Sequence, residues 1–170
     1  VKVAHAKHVW VQGEVGAMMG GHGNITGKLK KIPLADLEDV IKFVRETRVD
    51  TISAAVGTAH GIYENEDIVF SLLKGIKKAI DIPFVLHGGS GVGQSKIKKA
   101  IKEGVNIINI GTDLKVAFCQ TLIKVCLENK NETDPRNLLK PTIKAIEKVV
   151  WEKMKLFGSA GRFVVGKMET

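Results

Sequence analysis

The sequence predicts an α/β protein with a parallel sheet built from four βα units, half the complement of a (β/α)8 barrel. Three observations carry this. Strand-like apolar runs alternate with amphipathic helical stretches through most of the 170 residues, an order that demands a parallel sheet covered by helices. Two of those runs, ending at Val56 and Leu86, lead into glycine-rich turns that each carry a histidine. The length falls well short of the roughly 250 residues of a whole barrel. An open doubly wound sheet is the alternative at this point.

Each element has its own signal. Residues 1–6 read as the last turns of a helix whose start lies before the sequence. Residues 9–15 read as a strand, and 34–48 as a helix with Leu37, Val40, Ile41 and Val44 on one stripe. A strand at 51–56, a helix at 68–80, a strand at 83–86, a short helix at 95–103 and a strand at 106–110 complete the four units. Beyond them 114–127 reads as a long helix and 129–136, polar and containing Asp134-Pro135, as a loop. A last helix is expected over 141–157, with Pro141 in its first turn and Gly158 at its C-cap. The tail 164–170 shows no packing pattern.

Composition narrows the function classes. With 44% hydrophobic and 26% charged residues the chain is of globular type. The net charge of +8 comes from lysines interleaved with apolar residues, as in Lys96-Ile97-Lys98-Lys99-Ala100-Ile101-Lys102, and these read as solvated helix faces. Only 5% of the residues are aromatic, which leaves little for base stacking, so no nucleic-acid partner is expected. No apolar run reaches the ~18 residues of a membrane span, and no signal pattern opens the sequence, so no membrane partner and a cytoplasmic location are expected. Cys119 and Cys126, seven apart in a helical pattern, read as reduced core residues. The acceptor patterns Asn24-Ile25-Thr26 and Asn131-Glu132-Thr133 carry little weight without a secretory route.

The chemistry lies at the strand ends. Parallel strands place their functional residues at their C-terminal ends, so His60 and His87 should emerge side by side, and neutral imidazoles are common zinc ligands. Glycine-rich turns also serve simply to let helices pack closely, and for either turn alone that reading suffices. Their recurrence on neighbouring strands favours a site. The turns after the third and fourth strands hold Gly88, Gly89 and Ser90, then Gly111 and Thr112, where backbone N–H groups near a helix start can cradle a phosphate. Glu14, at the end of the first strand, suits either a role near a metal or a structural ion pair. His5, His8 and His22 match no ligand pattern. Lys115 and Arg136 read as solvated.

The segments Gly13-Glu14-Val15-Gly16, Val56-Gly57-Thr58-Ala59-His60-Gly61, Leu86-His87-Gly88-Gly89-Ser90-Gly91, Ile108-Asn109-Ile110-Gly111-Thr112-Asp113-Leu114, Asp134-Pro135-Arg136 and Phe157-Gly158-Ser159-Ala160-Gly161 stand in a recognisable order. In order and spacing they resemble the class II, metal-dependent ketose-bisphosphate aldolases, which include the fructose- and tagatose-1,6-bisphosphate enzymes. The resemblance implies the C-terminal half of a (β/α)8 TIM barrel, strands five to eight with the closing helices. Residues 1–163 would form the partial barrel domain, with the N-terminal half outside the sequence and 164–170 as a tail.

It also implies zinc on His60 and His87. A third histidine and the aspartate that serves as general acid/base belong to a Leu-Asp-His type motif on strand three, which does not occur here. Glu14 matches a glutamate that binds a second or displaced metal or orients the ligands. The ketose 1-phosphate falls on Gly61, Gly88, Ser90, Asn109 and Thr112, and the turns add Gly89 and Gly111. Backbone carbonyls near His60 and His87 can hold a monovalent cation, Na+ or K+.

The implied reaction is reversible cleavage of a ketose 1,6-bisphosphate to dihydroxyacetone phosphate and an aldehyde, with zinc stabilising the enediolate. A homo-oligomer, dimer or tetramer, is implied as well. With two of three histidines, the chain alone is expected to bind zinc weakly or not at all and to be inactive. Two other readings stay open: a non-catalytic fragment or accessory subunit, and a phosphate-binding barrel without metal. Gly20-Gly21-His22-Gly23-Asn24 departs from the acidic pair that many relatives carry there, and the small residue Gly111 leans toward the tagatose type.

Overall fold

A computed structural model of the chain describes residues 1–17, 26–27, 32–64 and 66–162. The elements follow as α1 (Lys2–His5), β1 (Gln12–Val15), β2 (Thr26–Gly27), α2 (Leu37–Thr47), β3 (Thr51–Ala54), β4 (Ile62–Tyr63), α3 (Phe70–Ala79), β5 (Phe84–Leu86), α4 (Gln94–Lys102), β6 (Val105–Ile108), α5 (Thr112–Glu128) and α6 (Pro135–Phe157). They fall into two compact units, Val1–Thr112 and Asp113–Thr170.

The first unit holds a four-stranded sheet in the order β1-β3-β5-β6, every pair parallel. Each strand lies beside the strand of this sheet that precedes it in the chain, so the sheet winds in one direction. A doubly wound sheet reverses its strand order at a switch point, and that alternative is thereby set aside. Register is fixed by Gln12 opposite Thr51, Ile52 opposite Phe84, and Phe84 opposite Val105, with an irregularity between Phe84 and Val85.

The sequence pattern explains the layers. All four residues of β3 are buried, as in an inner strand covered on both faces. β1 instead alternates, with Gln12 and Glu14 exposed and Gly13 buried, so Gln12 and Glu14 share one face. Val40 of α2, Leu73 and Ile76 of α3, and Ile97 of α4 pack with Ile52, Phe84 and Leu86 as the fully buried core. Burial of each such side chain contributes about 1.5–3 kcal/mol against chain entropy.

Several boundaries shift for identifiable reasons. α2 begins at Leu37 because the Asp36 carboxylate accepts from the N–H groups of Glu38 and Asp39, while Leu34 pairs with Val56 in an isolated bridge. The parallel pair β2–β4, Thr26 beside Ile62 and Gly27 beside Tyr63, was not predicted, since two-residue strands carry no periodicity.

The expected start of the last helix at 141 is corrected. Asp134 caps α6 by accepting from the N–H of Arg136, Pro135 occupies the first turn, and Pro141 lies inside the helix. An N-cap carboxylate with proline after it is a stronger start signal than proline alone. The core reading of the cysteines is corrected too. Cys119 and Cys126 are exposed, on the same side of α5 as the exposed Ile123. The stripe that contains them is weakly amphipathic and faces outward. The glycine loop 20–24, with His22, and the tail 164–170 lie outside the described residues.

Candidate metal and phosphate site

The site forms where β1 and the loops after β3, β5 and β6 meet. Backbone geometry comes first. Gly88 sits at φ +69°, and a Cβ there would run into the backbone of Ala59, so the turn after β5 lies directly on the loop that carries His60. The Asn109 N–H donates to the Leu86 carbonyl at 3.0 Å, tying the loop after β6 to β5. Thr58, fully buried, donates its hydroxyl to the His87 carbonyl at 2.7 Å. Three strand ends are thus stitched together by main-chain contacts and the Thr58 hydroxyl.

The imidazoles converge on this frame. The ring centres of His60 and His87 lie 5.8 Å apart with planes tilted by 37°. With a zinc–nitrogen bond of about 2.1 Å, an ion lies roughly 3.2 Å from the centre of each ring it binds, so two rings sharing one ion have centres at most about 6.4 Å apart. The observed separation lies below that linear limit and above the ~5.2 Å that a tetrahedral N–Zn–N angle gives, so the two rings are near neighbours at one strand-end mouth. Among the described residues no group of three His, Cys, Asp or Glu side chains is placed to hold a metal.

Glu14 stands behind His87: its Oε1 lies 3.0 Å from His87 Nδ1. A carboxylate oxygen only accepts, so Nδ1 carries the proton and Nε2 becomes the acceptor of the neutral ring. Gln12 fills that acceptor, its amide nitrogen 3.0 Å from His87 Nε2. His87 is mostly covered, with a side-chain exposure of 11%, whereas His60 is exposed.

A buried carboxyl holds the His60 loop. Glu66, 8% exposed, accepts from the N–H groups of Ala59 at 3.0 Å and Tyr63 at 3.3 Å. Burial pushes its carboxyl above the ordinary 4.5, and the two N–H donors oppose the shift. Its Oε1 lies where a side chain on Gly91 would begin, so the loops after β3 and β5 share this contact too. The neighbouring Asp67 is shifted the other way. Partial burial raises it, but the Lys96 ammonium at 2.9 Å and the Ile68 N–H outweigh that and hold it low.

The expected phosphate residues gather at the same strand ends. Gly61 and Gly89 are buried, Gly88, Ser90 and Thr112 are half-buried, and Asn109 and Gly111 are exposed. A Cβ at Gly111 would meet nothing, and Thr112 opens α5. Gln12, Thr58 and Glu66 were missed in the sequence. Period-two alternation from Glu14 pointed to Gln12; no local signal marks Glu66, whose partners are main-chain groups.

Similarity to known proteins agrees with this geometry. The family profile described as "Fructose-bisphosphate aldolase class-II" matches residues 1–162. The chain is 40% identical over 159 residues to the 6-phospho-5-dehydro-2-deoxy-D-gluconate aldolase of Bacillus subtilis, covering 92% of this chain and 54% of that protein. It is 34% identical to the fructose-bisphosphate aldolase of Helicobacter pylori, covering 95% of this chain and 61% of that one. Among solved structures, the YdjI aldolase of Escherichia coli K12 matches 95% of this chain and 52% of its own, with a TM-score of 0.70 at 27% identity. The fructose-bisphosphate aldolase of Campylobacter jejuni matches 91% and 53%, with a TM-score of 0.65 at 26% identity. The chain spans just over half the length of these relatives, as four βα units of an eight-unit barrel do. The singly wound sheet, the paired histidines at its strand ends and the profile match place this chain in the class II fructose-bisphosphate aldolase family.

Proposed function

We propose that the chain is the metal- and phosphate-binding half, residues 1–163, of a zinc-dependent aldolase. The enzyme cleaves a ketose 1,6-bisphosphate of fructose or tagatose type reversibly to dihydroxyacetone phosphate and an aldehyde. The observation that carries the reading is the approach of the His60 and His87 rings to 5.8 Å beside a turn whose Gly88 admits no side chain. His60 and His87 hold the metal. When bound, zinc supplies Lewis-acid stabilisation of the negative charge that develops beside the ketone as the carbon–carbon bond breaks.

The chain's own residues do the rest. Glu14 orients His87 through Nδ1 and raises its basicity as a ligand. Main-chain N–H groups of Gly61, Gly88, Gly89, Ser90, Gly111 and Thr112, with the Asn109 side chain, receive the phosphate. The His87 carbonyl keeps one lone pair after accepting from Thr58, which suits it to a monovalent cation, Na+ or K+, beside that phosphate. The general acid/base aspartate is expected outside this sequence. A cytoplasmic homo-oligomer completes the reading.

The 40% identity to a relative named for 6-phospho-5-dehydro-2-deoxy-D-gluconate favours a second substrate, a monophosphorylated keto sugar acid cleaved by the same chemistry. The test is cleavage of the two ketose bisphosphates and of this compound, by the chain alone and mixed with the N-terminal half of the Bacillus subtilis relative, with zinc content measured in parallel. Zinc uptake and cleavage restored in the mixture support the proposal. No zinc uptake and no cleavage of any of the three would end it.

A further inference from the structure

We propose that Gln12 is a positioning residue that guards the metal-binding nitrogen of His87, an inference that rests on the metal site proposed above. Glu14 and Gln12 lie two residues apart on one face of β1, and each engages a different nitrogen of the same ring. Glu14 Oε1 fixes the proton on Nδ1, so the lone pair of Nε2 is the one His87 offers to an ion. That lone pair is occupied by the Gln12 amide at 3.0 Å.

Two consequences follow from this arrangement. With Nδ1 held by the carboxylate and Nε2 by the amide, the ring is restrained from turning out of the site before metal arrives. The amide also competes with the metal, because Nε2 cannot accept from Gln12 and donate to an ion at once. Entry of zinc requires the Gln12 side chain to swing away, which is open to it because Gln12 is exposed. A glutamate at this position could not cap Nε2 as a donor, so the guard depends on the amide.

The test uses the chain mixed with the N-terminal half of the Bacillus subtilis relative, with zinc in competition with a chromogenic chelator, in wild type, Gln12→Leu, which keeps the bulk and removes the donor, and His87→Ala. Imidazole ¹⁵N spectra are recorded on the metal-free proteins. Gln12→Leu is expected to bind zinc about two- to tenfold more tightly, the size of one neutral hydrogen bond no longer in competition. In the spectra the His87 Nε2 resonance moves toward that of an uncapped acceptor while Nδ1 stays protonated. Wild type and Gln12→Leu binding equally, or Gln12→Leu binding more weakly, overturns the guard whatever the spectra show. Zinc bound equally by His87→Ala, or by none of the three proteins, overturns the metal site itself, and the guard with it.

Discussion

Glycine at position 88 is required twice over. At φ +69° an L side chain is strained by about 1–2 kcal/mol, and a Cβ would also collide with the backbone of Ala59, the residue directly before His60. Gly88→Ala is expected to destabilise the chain by at least ~2 kcal/mol in urea denaturation. Glu14 acts on a smaller scale. Its removal in Glu14→Ala frees Nδ1 of His87 and is expected to weaken zinc binding 10- to 100-fold in chelator competition, with little change in stability.

Glu66 gives a pH signature of its own. Its folded pKa is raised above 4.5 by burial, so its contribution to stability is full below that value and is lost as pH rises through the folded pKa. Glu66→Gln does not titrate. The stability of wild type relative to Glu66→Gln, measured by denaturation at a series of pH values, is therefore expected to fall with rising pH above about 4.5. A difference that grows with pH would contradict the assignment of burial as the dominant cause. The site histidines were legible as residues because each follows an apolar run in a glycine-rich turn. Glu66 was not, because it acts through main-chain N–H groups that any sequence supplies.

Helix α6 shows how a cap outranks a breaker. Asp134 accepts from the Arg136 N–H at 2.9 Å and pairs with its guanidinium, and that guanidinium holds the Asp134 carboxyl below its ordinary 3.8. Asp134→Ala is expected to lower Tm by about 2–4 °C and to reduce helical ellipticity. The sign with pH is opposite to that of Glu66. A depressed pKa means that the cap's contribution is present above 3.8 and disappears as pH falls through the lower folded value, so the variant and wild type should converge in strong acid. The four long apolar runs were legible as strands, and the periodic stretches between them as helices, because burial against the sheet imposes those periods. The start of α6 was misread because Pro141 looked like a first-turn proline, whereas the structure tolerates it inside the helix. β2 and β4 left no trace, since a strand of two residues has no period to read.

At the scale of the whole chain, apolar surface lies at the outer strands. Trp10, 73% exposed, and Val9 lead into β1, and the exposed Ile107 lies on β6, the other outer strand of the described sheet. In the second unit Trp151, 52% exposed, joins Ile143, Val150 and Met154 along α6. Single exposed apolar residues are ordinary, but clusters beside sheet edges promote association. The net charge of +8 opposes that association at long range, and salt screens the opposition without weakening the apolar contact. Self-association should therefore increase with both protein concentration and ionic strength in sedimentation velocity, and Trp10→Lys should reduce it at every salt concentration. Association driven by ion pairs would instead weaken as salt is added, so the direction of the salt effect separates an apolar interface from a charged one.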